Sequence, residues 1–263
     1  MTLGKYYHIG KINLQNSLAY IIDFFISSGL VIMIMLILIA LWRVLYQDRN
    51  IIAGFTLAQM IWYLVITESI VFMPLRGIIR EIEGEIKSGK IAYQLNKPYN
   101  YIAAKFFSKI GFALLRWAII FTAAVFIAWI FVGPIQLNIY GVFFGIISIF
   151  LSFVLSFLIA CCIAIMAFWL EEVFGLYFMY DKMRFILGGF LFPLDILPLW
   201  LQIPARYLPF SAILYYPAKL FVDFSPEFMA KTFFFQLSWI LVLIILVSIL
   251  YRIGIKKVSI NGG

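Results

Sequence analysis

Apolar positions in this chain form long, uninterrupted runs, whereas a soluble protein alternates apolar and polar positions over short distances. The first run, residues 24–41, contains no charged residue. A helix needs about 20 mostly apolar residues to cross the roughly 30 Å hydrocarbon core of a bilayer. The pattern therefore predicts about six transmembrane helices. Comparable runs follow near residues 55–75, 107–132, 139–169, 173–194 and 232–251.

The composition also indicates an all-α integral membrane protein. Charged residues make up 12% of the 263 residues, whereas soluble domains contain about 25%. The chain has room for six helices and short loops but not for a separate soluble domain, so residues 1–263 are predicted to form a single transmembrane domain. The net charge of +8 indicates basic loops beside lipid headgroups and does not by itself indicate nucleic-acid binding.

The N-terminal segment, residues 1–20, mixes apolar and basic residues ahead of the first span. This pattern favours a short helix that lies in the membrane interface. A plain solvated tail is the alternative.

Residues 76–100 interrupt the apolar pattern and hold most of the charge of the first half. An apolar stripe with helical spacing predicts an amphipathic helix over 76–88, between the second and third spans. This helix either lies on the lipid surface or docks a soluble partner. Its interleaved acidic and basic residues favour the protein partner, since anionic lipid prefers a uniformly basic face. The stripe consists of Leu75, Ile78, Ile79, Ile82 and Ile86, and the charged face of Arg80, Glu81, Glu83, Glu85 and Lys87.

The distribution of Lys and Arg predicts the orientation in the membrane. Short cytoplasmic loops carry an excess of basic residues. With an even number of crossings, the basic segments all fall on one side, so both termini and the 76–100 loop are predicted to be cytoplasmic. These basic residues are Lys5, Lys11, Arg76, Arg80, Lys87, Lys90, Lys97, Lys105, Lys109, Arg252, Lys256 and Lys257.

The predicted fifth span, residues 173–192, contains charged residues. Asp181 and Arg184 are three positions apart and would pair on one helix face. Charges inside a span tend to face the bundle interior or a transport pathway. The alternative is that the span starts later and these residues, with Lys182, lie at the interface. Glu68, in the second span, is a weaker candidate of the same kind.

Residues 193–230 are apolar but rich in proline. Repeated prolines break a helix, so this segment is predicted to form broken re-entrant or interfacial helices on the outer side. Such backbone is tolerated at membrane depth only when it is buried in protein or lines a cavity. The prolines are Pro193, Pro198, Pro204, Pro209 and Pro217.

The sequence predicts no enzyme activity and no cofactor in this chain. Residues 84–90 match the start of a phosphate-binding loop, but Ile91 stands where Ser or Thr should hold Mg²⁺, and no strand precedes the loop. His8 is the sole histidine, which argues against a metal site. The adjacent Cys161 and Cys162 are expected to be packing residues.

Two local patterns resemble those of the permease subunits of type-2 ABC exporters. The local sequence is most similar to that of a bacterial subgroup whose members are about as long as this chain. The first is residues 80–91 (REIEGEIKSGKI) with Leu95-Asn96-Lys97-Pro98, after the second span. The second is residues 189–198 (GFLFPLDILP), continued by Leu208-Pro209-Phe210. The order of interfacial helix, charged helix and proline-broken segment matches that family as well. The resemblance covers nearly the whole chain.

This resemblance implies a transport subunit of the bacterial plasma membrane that pairs with a second, identical or related permease and with two separate ATPase subunits. ATP and Mg²⁺ would be bound by the ATPases, and the substrate would be a hydrophobic or amphipathic compound. The helix at 76–88 would be the coupling helix. Its candidate coupling residues are Arg76, Ile79, Arg80, Glu81, Ile82, Glu83, Glu85 and Ile86. The candidate residues for the pathway or interface are Asp181, Lys182, Arg184, Glu68, Pro193 and Pro198.

Two other classes of protein remain open at this stage. A secondary transporter driven by an ion gradient would need ion-linked carboxylates within the spans, and the candidates are few: Asp23, Glu68 and Asp181. A membrane scaffold that does not transport would explain the hydrophobicity, but it leaves the docking helix without a purpose.

Overall fold

The apolar runs fold into helices because a helix satisfies its backbone hydrogen bonds internally, as the bilayer interior requires. The computed structural model describes residues 3–18, 21–71, 75–135 and 138–261. The regular structure in these ranges is helical, apart from an isolated bridge between Ile52 and Phe55. The α-helices are α1 (Leu3–Leu18), α2 (Ile21–Leu45), α3 (Leu57–Val71), α4 (Leu75–Lys87), α5 (Lys90–Leu95), α6 (Tyr101–Val132), α7 (Ile139–Ile165), α8 (Phe174–Leu187), α9 (Leu199–Tyr207), α10 (Pro209–Ile213), α11 (Tyr215–Val222) and α12 (Pro226–Asn261).

The described helices include four that are long and apolar enough to cross a membrane. α2 adds a shorter apolar stretch, Val31–Leu45. These lengths and compositions confirm the prediction of an all-α integral membrane protein. The four long helices are Leu57–Lys87, Tyr101–Val132, Ile139–Phe168 and Pro226–Lys257.

The spans differ in how deeply they are buried within the chain. In its most apolar stretch, the span formed by α3 and α4 is 80% buried and the α7 span is 67% buried, whereas α6 and α12 are each only 17% buried. The outer faces of α6 and α12 carry large exposed apolar side chains such as Trp129 and Ile245. α3 and α7 therefore form the centre of the bundle, while α6 and α12 lie at its periphery.

α3 and α6 run antiparallel, and their contacts define the two ends of the bundle. The indole N–H of Trp62 donates to the carbonyl of Gly133 over 3.1 Å, and that of Trp117 donates to the Ser69 hydroxyl over 3.2 Å. We call the end near Gly133 the far end and the end near Lys87 the charged end.

α4 continues the line of α3. Ser69 on α3 contacts Trp117 on α6, and Glu81 on α4 pairs with Lys105 on α6. The two contacts are twelve residues apart both along α3 and α4 and along α6, as expected if α4 lies in line with α3. α3 has 15 residues and α4 has 13, which together correspond to about 42 Å of helix and exceed the roughly 30 Å of a hydrocarbon core. The charged helix that the sequence predicts between the second and third spans is thus present as α4, which lies in line with α3 at the charged end.

The fifth crossing is shorter as a helix than the sequence predicts. α8 has 14 residues, about 21 Å of helix, whereas the expected span covered 173–192. The helix ends at Leu187 because the chain turns at Gly189, whose φ of 75° favours glycine. The carbonyl of Gly189 accepts a 2.5 Å hydrogen bond from the hydroxyl of Tyr63, within α3. α8 therefore starts at the charged end and ends inside the bundle.

The proline-rich segment completes this crossing by entering and leaving the bundle. α10 lies deep, where the side-chain amide of Gln236 on α12 donates to the carbonyl of Ala212 over 2.9 Å and to that of Ser148 on α7 over 3.0 Å. α11 then returns to the far end, where Phe221 packs on Gly145 so closely that an added Cβ would lie 2.9 Å from its ring. Because α10 and α11 are almost wholly buried, their backbone meets the condition for irregular structure at membrane depth.

The predicted N-terminal helix is present as α1. A Cβ added to Gly10 would lie 3.0 Å from the carbonyl oxygen of Phe107, so α1 rests directly on the backbone of α6. Lys5 and Lys11 are exposed. α1 is thus packed on the bundle near its charged end and is not a solvated tail; residues 1–2 and 19–20 of the predicted segment lie outside the described ranges.

Candidate functional site

The apolar face of α4 is packed inside the chain. Ile78, Ile79, Ile82 and Ile86 are buried, Ile82 completely. Of the predicted coupling residues, Ile79, Ile82 and Ile86 therefore contact the chain's own core. Their position makes them anchors that hold α4 on the bundle, and it leaves the charged residues of α4 to form any contact with another protein.

Ion pairs join the charged face of α4 to the start of α6. The ammonium of Lys105 lies 2.5 Å from a Glu81 oxygen and 2.6 Å from a Glu85 oxygen, and Lys109 lies 2.5 Å from the other Glu81 oxygen. The hydroxyl of Tyr101 donates to Glu85 over 2.6 Å. The side chain of Lys105 is only 12% exposed, so salt screens these interactions less than it screens fully exposed pairs. Glu81 and Glu85 thus help to hold α4 and α6 together.

An open cleft of about 380 Å³ lies between α4 and α8 at the charged end. Arg76 and Arg80 are exposed, and the guanidinium of Arg76 lies 5.3 Å from the centre of the Phe174 ring at the start of α8. The contribution of α8 to this cleft was not predictable from the spacing of residues within α4. The available signal was the acidic pair Glu171-Glu172, which could complement the two arginines of α4. The cleft is lined by Arg76, Ile79, Arg80, Glu83, Glu172, Phe174 and Tyr177.

The predicted pair on α8 forms in the structure. A guanidinium nitrogen of Arg184 lies 2.8 Å from the Asp181 carboxylate, and the Arg184 side chain is only 4% exposed. Lys182 is exposed on another face, where its ammonium lies 5.1 Å and 5.3 Å from the ring centres of Phe178 and Phe185. Asp181 and Arg184 therefore belong to the bundle interior, whereas Lys182 is at its surface.

Glu68 is fully buried in α3. Neither carboxylate oxygen has a hydrogen-bond partner in the described part of the chain, and the structure does not pair it with Arg184. A buried ionisable group without a partner is costly and marks a candidate functional position within a membrane. The side chain of Asp23, the other weak candidate, lies outside the described side chains.

A polar cluster that the sequence analysis missed is centred on Asp195. Its carboxylate accepts hydrogen bonds from Arg206 over 2.7 Å, from the Tyr215 hydroxyl over 2.9 Å and from Lys219 over 3.2 Å. These partners lie on α9 and α11, so one side chain links three separate parts of the broken segment. The available signal was the rarity of charge there: Arg206 and Lys219 are the two basic residues between 193 and 222.

The two candidate prolines flank this acidic residue. Pro193 precedes the short 3-10 turn Leu194–Ile196, and Pro198 immediately precedes α9. Both adopt extended ψ angles, 147° and 146°. They place the Asp195 side chain beside α9 and α11, and Pro198 itself is exposed.

The fold and its buried polar groups define a polytopic all-α membrane protein with a broken crossing. Residues 30–262 match the family model described as ABC-2 family transporter protein, and the chain belongs to that family. It is a permease, the membrane component of an ABC transporter. No curated protein matches the chain.

Proposed function

We propose that this chain is the permease of an exporter driven by a separately encoded ABC ATPase, and that α4 transmits the motion of that ATPase. The observation that supports the proposal most strongly is that α4 lies in line with α3 at the charged end, with its isoleucine face anchored and its arginines exposed. A helix that is anchored to the core in line with the most buried span is a suitable element to transmit such a motion. The charged end then faces the cytoplasm.

The proposed docking surface is the cleft between α4 and α8. Arg76 and Arg80 provide positive charge and Glu172 negative charge, and such mixed signs select a partner by charge complementarity. Because Lys105 and Lys109 tie α4 to α6, a displacement of α4 would also move α6. The contact of Arg76 with Phe174 would carry the displacement to α8.

We further propose an assembly of two permeases, identical or related, with two ATPases that bind ATP and Mg²⁺. A hydrophobic or amphipathic substrate would pass between the permeases toward the far end. We propose that Asp181, Arg184 and Glu68 act in the inner part of the transport pathway. The turn at Pro193 and Pro198 would shape the outer part of that pathway. The abundance of basic residues at the charged end supports a cytoplasmic location for both termini in a bacterial plasma membrane.

The first test is purification of the tagged chain from its native membrane in a mild detergent, followed by mass spectrometry of the proteins that accompany it. We expect an ATPase with an intact phosphate-binding loop, in a ratio of about one to each permease. A second, related permease in the sample would indicate a heterodimer. A preparation without any ATPase, even after chemical cross-linking in the membrane, would contradict the proposal.

A further inference from the structure

A groove of about 490 Å³ lies between α6, α7 and α12, on a different side of α6 from its ion pairs with α4. α6 and α12 are peripheral spans, and α7 forms the floor between them. The groove is lined by Asn100, Ile102, Ala103, Phe106, Phe107, Val154, Phe157, Leu158, Ile244, Val247, Ser248, Tyr251 and Arg252.

The groove has an apolar body and a polar mouth. Its apolar part reaches Ile244, and its mouth is at Arg252, eight residues or about 12 Å further along α12. In the described part of the chain, Arg252 has no ion pair, and the buried hydroxyl of Tyr251 has no hydrogen-bond partner. The mouth therefore presents two hydrogen-bonding side chains that the described residues leave without an ion pair or, for the Tyr251 hydroxyl, without a hydrogen-bond partner.

The position of the groove indicates that lipid reaches it. The neighbouring face of α12 is apolar and exposed, with Leu241 61% and Ile249 49% accessible. The mouth lies at the charged end, since Tyr251 stacks on Tyr101 at the start of α6 with ring centres 5.8 Å apart. Arg252 is thus at the depth where an apolar span meets the headgroups, on the side with the larger number of basic residues.

The groove should distinguish lipids by their headgroups and not by their acyl chains. A lipid tail is already in an apolar environment, so its transfer from the bilayer into the groove yields no hydrophobic gain. An unpaired guanidinium, by contrast, binds a phosphate through charge-assisted hydrogen bonds, and basic pockets between spans on the cytoplasmic side bind anionic headgroups. Net negative charge on the lipid then decides occupancy.

We infer that this groove is a binding site for an anionic phospholipid, with one acyl chain between α6 and α12 and the phosphate at Arg252. The site is separate from the α4–α8 cleft, so it does not depend on the proposed ATPase. A second copy of this chain could cover the groove instead, and the experiment distinguishes the two occupants.

The test uses the full-length protein in nanodiscs of equal parts phosphatidylglycerol and phosphatidylcholine. A trace of one or the other lipid carries a photoactivatable group on its acyl chain. After illumination, labelled peptides are quantified by mass spectrometry. We expect the phosphatidylglycerol probe to label residues 102–107 and 244–252 about fivefold more than the phosphatidylcholine probe, as anticipated for one basic residue beside anionic lipid.

Two pairs of variants separate the headgroup from the groove. Arg252→Gln should abolish the preference for phosphatidylglycerol, whereas Lys231→Gln, which also removes one positive charge but at the far end of α12, should keep it. Ser248→Phe should fill the groove and reduce labelling by both probes. Ile249→Phe, at the next position and outside the lining, should not.

Three results would overturn the inference. Equal labelling by both probes in the unchanged protein would show that no headgroup is selected. A preference that survives Arg252→Gln would place the headgroup elsewhere. Absence of lipid labelling, together with cross-links between two copies of the chain at residues 244–252, would show that a second copy covers the groove.

Discussion

Asp195 joins three parts of the broken segment with one carboxylate. Arg206 and Lys219 both form ion pairs with it, so its negative charge offsets the repulsion between these two cations. Its side chain is 14% exposed and that of Lys219 is 19% exposed, so the cluster is partly shielded from water. Asp195 therefore helps to fix the position of α9 relative to α11, together with the hydrogen bond that the Tyr216 hydroxyl donates to the carbonyl of Arg206 over 3.1 Å.

Asp195→Asn should destabilise the protein because it keeps the shape of the side chain but removes the charge. The loss of hydrogen bonds to charged groups suggests a cost of about 1–3 kcal/mol, reduced by the exposure of Arg206. The measurement is the thermal unfolding midpoint of the detergent-solubilised protein. Asp223→Asn, an exposed acid just beyond α11, is the control; equal midpoints for the two variants would contradict the structural role of Asp195.

At the scale of elements, α4 has two faces with separate roles. The isoleucine face anchors the helix to the core, and Glu81 pairs with Lys105 and Lys109 inside the chain. Substitutions of Ile82 or Glu81 would therefore disturb the fold and the proposed docking at once. Arg80 is exposed and has neither complication, which makes it the informative position.

Arg80→Glu should reduce transport and the retention of the ATPase about tenfold while the chain still reaches the membrane, because a reversed charge replaces attraction by repulsion. The measurements are substrate efflux, co-purified ATPase and the amount of permease in the membrane. Arg49→Glu, the same change at an exposed site outside the docking surface, serves as the control. Normal efflux in the Arg80 variant would argue against docking at α4.

At the scale of the whole molecule, the arrangement of the ends predicts an orientation. α1, the end of α4 and the end of α12 lie at the charged end, while the loop after α2 lies at the far end. Arg43, near the end of α2, donates to the carbonyl of Phe131 at the end of α6, which supports that placement.

Single cysteines should therefore be labelled from different sides of the membrane, according to the end of the bundle at which they lie. We expect Lys11→Cys and Lys90→Cys to react with a membrane-impermeant maleimide from the cytoplasmic side only, and Arg49→Cys from the outer side only. Cys161 and Cys162 are first replaced by alanine, and Cys161 is buried in any case. Labelling of positions 11 and 90 from opposite sides would contradict an even number of crossings between these two positions.

Part of the candidate site was predictable because it depends on local spacing. Asp181 and Arg184 pair because they are three residues apart on one helix, and the amphipathic stripe identified α4. The Asp195 cluster was not predictable, since its partners are 11 and 24 residues away and meet only when α9 and α11 fold back on the 3-10 turn.

The sequence alone determined the class of the protein and the presence of a proline-broken segment, because these follow from the length and hydropathy of local runs. Only the tertiary structure decided that α4 prolongs α3 and that α8 ends inside the bundle. Those features depend on contacts between distant segments, such as Lys105 with Glu81 and Tyr63 with Gly189. Local periodicity describes the faces of a helix, and packing against other helices determines what each face meets.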